Sequence, residues 1–126
     1  KKIKNKNAPT VLIEEPELNL HPELQSKLSD FLLLVSSKNV QFLVETHSEY
    51  IIRKAQLISI KEGFIQKNEL NPNPFKIFYF HKKDGPYEMK FTSQGRFERD
   101  FGPGFYDEAA KTSMQIVKEG RKIAVE

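Results

Sequence analysis

Glu14 and Glu15 stand together at the end of the apolar run Val11-Leu12-Ile13, and Glu45-Thr46-His47-Ser48 stand at the end of a second, Val40 to Val44. Glu17 follows the first pair after Pro16. Carboxylates and an imidazole are the groups that metal-assisted phosphoryl transfer uses. One carboxylate can hold Mg²⁺, directly or through water, while another orients or deprotonates the attacking water. An imidazole can donate a hydrogen bond to charge developing on a phosphate. Strand ends are also polar simply because they meet solvent, which is enough to account for a lone Glu-Glu pair. Two strand ends loaded in this way and lying side by side point more strongly to a site.

For the two ends to meet, the runs must be neighbouring strands. Both are continuous apolar stretches of the kind covered on both faces of a sheet. Pro16 ends the first, since proline cannot donate to a ladder and restricts its predecessor. Pro22 then fits a first helical position, with Glu23 in the favourable acidic first turn. Leu24, Leu28, Phe31, Leu32 and Val35 form one apolar stripe of a helix that ends near Ser36-Ser37. Lys38-Asn39 turns the chain into the second strand. Ser48 suits the N-cap of a second helix, with Ile51, Ile52, Ala55 and Ile58 on its packing face and Gly63 near its stop. A helix between two strands makes a βαβ unit, parallel and right-handed. Open α/β sheets bind ligands just outside the carboxyl ends of their strands, so the topology predicts that Glu15 and His47 are neighbours.

The remainder has a different grammar. Gln66 to Pro74 reads as a loop. Phe75 to Phe80 and Tyr87 to Phe91 read as an antiparallel hairpin with Asp84-Gly85 in its turn. His81, beside Lys82 and Lys83, fits a solvated turn. Phe97, Phe101, Phe105 and Tyr106 suggest a small aromatic core. Phe105 to about Glu119 is expected to be a last helix packing through Ala109, Ala110, Met114 and Val117. The predicted fold class is α/β: a parallel βαβ core, then an antiparallel hairpin and a C-terminal helix. The expected divisions are a basic tail over 1–7, a lobe over 8–92 and a small C-terminal extension over 93–126.

Composition narrows the classes. A chain of 126 residues with 38% hydrophobic residues is long enough for a core. No run approaches a bilayer span, so no membrane partner is expected. The absence of cysteine and of a secretory leader predicts a cytoplasmic protein. The first residue is Lys, from which a piece of a longer protein is expected. Net charge is +3, but Lys1, Lys2, Lys4 and Lys6 exceed it by themselves. Such a run fits a solvated tail; nucleic-acid binding is unsupported for this chain and stays open for the intact protein.

The segment V-L-I-E-E-P-E-L-N-L-H-P closely resembles the Walker B and D-loop region of ABC-class, AAA-type P-loop ATPases, in the bacterial branch that is SMC-like and overcoming-lysogenization-defect-like. F-L-V-E-T-H-S resembles their H-loop, and G-P-G-F-Y-D-E a small C-terminal domain of unknown function that ends some bacterial members. The resemblance implies that Glu14 is the Walker B acid supporting Mg²⁺ and Glu15 the base that polarises water. It implies that His47 contacts the γ-phosphate, with Ser48 beside it at the nucleotide. Leu18 to His21 match the D-loop, which in that class crosses a head-to-head dimer interface. Two positions depart from the pattern: Glu14 stands where most members have Asp, and His21 replaces the D-loop Asp.

The six glycines, at 63, 85, 95, 102, 104 and 120, cannot form G-x-x-x-x-G-K-[ST], and no L-S-G-G-Q-like stretch is present. The backbone nest and lysine that cradle phosphates are missing from the chain. The expectation is therefore one lobe of an ATPase that binds ATP and Mg²⁺ only together with an N-terminal P-loop portion, inactive alone and part of a homodimer of heads. The alternative is a non-enzymatic interaction or dimerisation module built from a degenerate lobe. A metal-dependent nuclease using Glu14, Glu15, Glu45 and His47 would call for a Glu-x-Lys, and none follows either strand. Glu45, His47 and Ser48 share the residue types of a catalytic triad, but such near neighbours seldom converge and no oxyanion-hole motif accompanies them.

Overall fold

The computed structural model describes residues 8–65 and 72–123. In order these form β1 (Thr10–Glu14), α1 (Pro22–Ser36), β2 (Gln41–Glu45), α2 (Glu49–Lys61), β3 (Phe78–His81), β4 (Gly85–Glu88) and α3 (Glu108–Ile123). The fold is mixed α/β, with a short parallel sheet, an antiparallel hairpin and a C-terminal helix.

β1 and β2 pair in parallel with Val11 opposite Phe42, Ile13 opposite Val44 and Glu14 opposite Glu45. Because side chains alternate along a strand, Ile13, Phe42 and Val44 share one partly covered face, while Leu12 and Leu43 share the other. That second face is open: Leu12 is 72% exposed and Leu43 64%. The expectation of strands covered on both faces is thus corrected. Of the helices only α1 contacts the sheet, through β2, and nothing among the described residues covers the Leu12–Leu43 face.

α1 begins as its sequence requires, with Pro22 in the first turn and His21 as N-cap, its Nδ1 accepting from the Glu23 N–H at 3.4 Å. It packs on α2, and the buried point of contact is Ser29, whose hydroxyl donates to the Ile51 carbonyl at 2.8 Å. Leu24 and Phe31 of the predicted stripe remain exposed. A single neighbouring helix is too narrow to cover a stripe of that width.

α2 is the most buried helix. Ile51, Ala55 and Ile58 form most of the apolar core, and Ser59 is fully enclosed between the Ala55 carbonyl and the Asn73 side chain. Gly63 follows the helix with φ +69°, the left-handed conformation that ends helices and suits glycine. Most of the predicted loop, residues 66–71, lies outside the described residues.

The hairpin forms around a three-residue turn, Lys82 to Asp84, with His81 opposite Gly85 and Gly85 at φ +71°. Its strands are shorter than the sequence suggests, although the Met89 N–H still donates to the Ile77 carbonyl. His81 serves the turn: its Nδ1 accepts from the backbone of Lys83 and Asp84.

The predicted aromatic core is present. Phe101 is its hub, 5.2 Å from Phe97, 4.9 Å from Phe105 and 4.7 Å from Tyr106 between ring centroids. That commitment delays α3, which starts at Glu108 rather than Phe105. A second correction concerns its packing: Met114 and Val117 are exposed, no residue of α3 is buried, and among the described residues it packs on no other element.

Candidate functional site

The two parallel strands place their carboxyl ends side by side. Glu14 and Glu45 are the last strand residues and face each other across the ladder, both exposed. Two like charges directly opposite destabilise a sheet unless a cation or solvent compensates them. Glu15 is the first residue beyond β1. Its N–H donates to the Glu45 carbonyl at 2.8 Å and its own carbonyl accepts from Leu18 at 3.1 Å.

Between those bonds Glu15 adopts φ +42°. A non-glycine residue there costs about 1–3 kcal/mol, and such outliers gather at functional sites because only a surrounding framework can hold them. Glutamate carries no sequence signal for a positive φ, so the strain is visible only in the folded chain. Its effect is to bend the chain immediately after the strand.

His47 lies opposite on the second loop, with Nε2 3.8 Å from Glu15 Oε1. The imidazole is 76% exposed and the Glu15 carboxylate 44%, so the pair adds little to stability. It leaves both groups accessible to a ligand and close enough to act on the same one.

Ser48 is placed differently. It is 5% exposed, and its hydroxyl donates to Gln25 Oε1 at 2.6 Å while accepting from the Ile51 N–H at 3.4 Å as the N-cap of α2. Both bonds point into the protein, which makes Ser48 the anchor of the His47 loop.

Two links went unforeseen. Glu17 accepts from the His47 N–H at 2.6 Å, and its second oxygen is buried without a partner. Gln25 spans from the Leu20 carbonyl, 2.9 Å from its Nε2, to the Ser48 hydroxyl. Thirty residues separate Glu17 from His47, so neither spacing nor residue type could have announced that bond.

Among the described residues no three His, Cys, Asp or Glu side chains converge as a metal-binding group, and no helix is long and apolar enough to cross a membrane. What converges is a pair: an accessible carboxylate and an accessible imidazole at the carboxyl edge of a parallel sheet.

A family model described as an AAA ATPase domain matches residues 1–52. That span holds β1, α1, β2 and the start of α2, and with them Glu14, Glu15, His47 and Ser48. The match relates this part of the chain to AAA-type ATPases. Comparison with curated proteins and with solved structures gave no match.

Proposed function

We propose that the chain supplies the water-activating and phosphate-sensing side of an ATP-hydrolysing site in an ABC-class ATPase. The observation that carries this reading is the approach of Glu15 to His47 at the carboxyl ends of β1 and β2, with Glu15 in a left-handed conformation, inside the segment related to AAA-type ATPases. Glu15 is the general base: its exposed carboxylate takes a proton from the attacking water. His47 donates to the γ-phosphate oxygen on which charge develops, and Glu15 at 3.8 Å favours the orientation that presents Nε2.

Glu14 is the Walker B acid. The hard oxygen donors of Glu14 and Glu45, paired at the ladder end, suit Mg²⁺, which takes one or two carboxylates plus phosphate oxygens and water rather than an all-protein cage. When bound with nucleotide, Mg²⁺ neutralises charge on the phosphates. Ser48 anchors the histidine loop beside the nucleotide, and Leu18 to His21 form the D-loop. The P-loop that grips ATP comes from an N-terminal portion of the same protein, in a homodimer of ATPase heads. Residues 8–92 form the lobe and 93–126 an extension to it.

Replacing Glu15 with Gln in the ATPase completed by its P-loop portion tests the assignment. Phosphate release should fall about 100-fold or more, the size of a lost general base, while equilibrium ATP binding persists. Unchanged release would remove Glu15 as the base. A second reading, an interaction module with no turnover, is favoured by the open Leu12 and Leu43 face; it predicts no ATP hydrolysis from the completed protein with Glu15 intact.

A further inference from the structure

We propose that Glu17 is a positioning residue that ties the Leu18–His21 segment to His47, so that the two move as one unit. The proposal rests on reading His47 as the phosphate-facing histidine. The backbone of Glu17 belongs to the first loop, its carbonyl accepting from the Leu20 N–H at 3.0 Å. Its side chain belongs to the second, with Oε1 2.6 Å from the His47 nitrogen. A hydrogen bond from an N–H to a carboxylate is shorter and stronger than one between neutral groups.

The contact is specific although the bond itself lies in an exposed place. Oε2 is enclosed with no hydrogen-bond partner, a cost that the short bond to Oε1 offsets only while the carboxylate keeps this position. A mere solubilising glutamate would turn both oxygens to water. Gln25 makes a parallel connection one residue further on, from the Leu20 carbonyl to the Ser48 hydroxyl. His47 is thereby held at its own N–H from the first loop, and through the residue that follows it from Gln25 in the first turn of α1, which is itself bonded to that loop. A displacement of Leu18–His21, the segment placed at the dimer interface under the proposed function, is passed to the imidazole through these two links.

Amide hydrogen exchange and imidazole resonances of His47 in the nucleotide-free chain test this without reference to ATP. With Glu17→Ala, exchange at the His47 amide should quicken about tenfold or more, the scale of a lost charge-assisted hydrogen bond, and the His47 ring resonances should shift. The amides of Ile51 and Ala55 serve as the control and should stay protected. Glu17→Asp keeps the charge but shortens the reach by a methylene, and should behave as Ala does. Glu17→Gln keeps an acceptor and should restore slow exchange and the ring resonances, with the His47 amide proton moved upfield by the weaker bond. Protection of the His47 amide that is unchanged in the Ala variant, or lost as fully in Gln as in Ala, overturns the proposal. Should the Ala variant unfold, an unmoved His47 amide proton in the Gln variant overturns it equally. None of these readouts depends on Glu15 being a base, so the two assignments fail separately.

Discussion

Ser48 illustrates how a residue next to an active group can matter by facing away from it. Its hydroxyl is committed to the α2 N-cap and to Gln25, while the neighbouring imidazole is left in the open. Ser48→Ala removes the cap and leaves Gln25 Oε1 without its donor. The expected loss is about 1–2 kcal/mol, read as a lower urea midpoint with an unchanged slope. A midpoint equal to that of the parent chain would mean that the cap is supplied elsewhere. Exposed pairs such as Lys27–Glu23, at 2.8 Å across one helical turn, should matter far less, because solvent screens them.

At the level of elements, α2 is the strut that joins the two halves of the chain. One face, with Ile51, Ala55 and Ile58 buried, serves α1 and the core. The other receives the C-terminal segment: Gln56 Nε2 donates to the Gly95 carbonyl at 2.7 Å, and the Arg53 guanidinium lies 4.3 Å from the Tyr106 ring centroid. Gly95 is required at this seam, since φ is +78° and a Cβ there would run into the Ile60 side chain. The Tyr106 hydroxyl is buried without a partner. Burial pushes the phenol's pKa well up, against the pull of Arg53. Tyr106→Phe keeps the ring and removes the orphaned hydroxyl, so stability should be equal or higher by up to about 1 kcal/mol. Tyr106→Leu loses the cation–π contact and the edge contact with Phe101, and should cost about 1–3 kcal/mol. Thermal denaturation of the two variants decides the matter: a Phe variant as unstable as the Leu variant would show that the hydroxyl, not the ring, does the docking.

At the scale of the whole molecule the described surface is asymmetric. Among the described residues the parallel sheet is partly covered on one face and open on the other, where Leu12, Leu43, Glu14 and Glu45 lie together. Under the proposed function the P-loop portion completes the site that this face borders. The sequence holds no G-x-x-x-x-G-K-[ST], so under the proposed function calorimetric titration with Mg·ATP should give weak affinity, in the millimolar range or beyond. A micromolar dissociation constant would show that the nucleotide is held by residues other than those of a P-loop.

Much of this was legible along the chain, because it depends on local chemistry. Pro22 and Ser48 announced the helix starts, Gly63 a stop, and the two apolar runs with a helix between them required parallel strands whose ends meet. From that topology the proximity of Glu15 and His47 followed directly. Other features needed the folded molecule. The left-handed turn at Glu15 exists because bonds from Glu45 and to Leu18 hold it, and the Glu17 and Gln25 links join residues far apart in sequence. Hydrophobic pattern likewise shows which faces are apolar but not whether anything covers them: Leu12, Phe31 and Met114 fit their periodic patterns, yet each remains exposed. Local propensity and spacing are written into short stretches of chain, whereas coverage and long-range hydrogen bonds depend on which distant residues arrive alongside, and only the tertiary structure decides that.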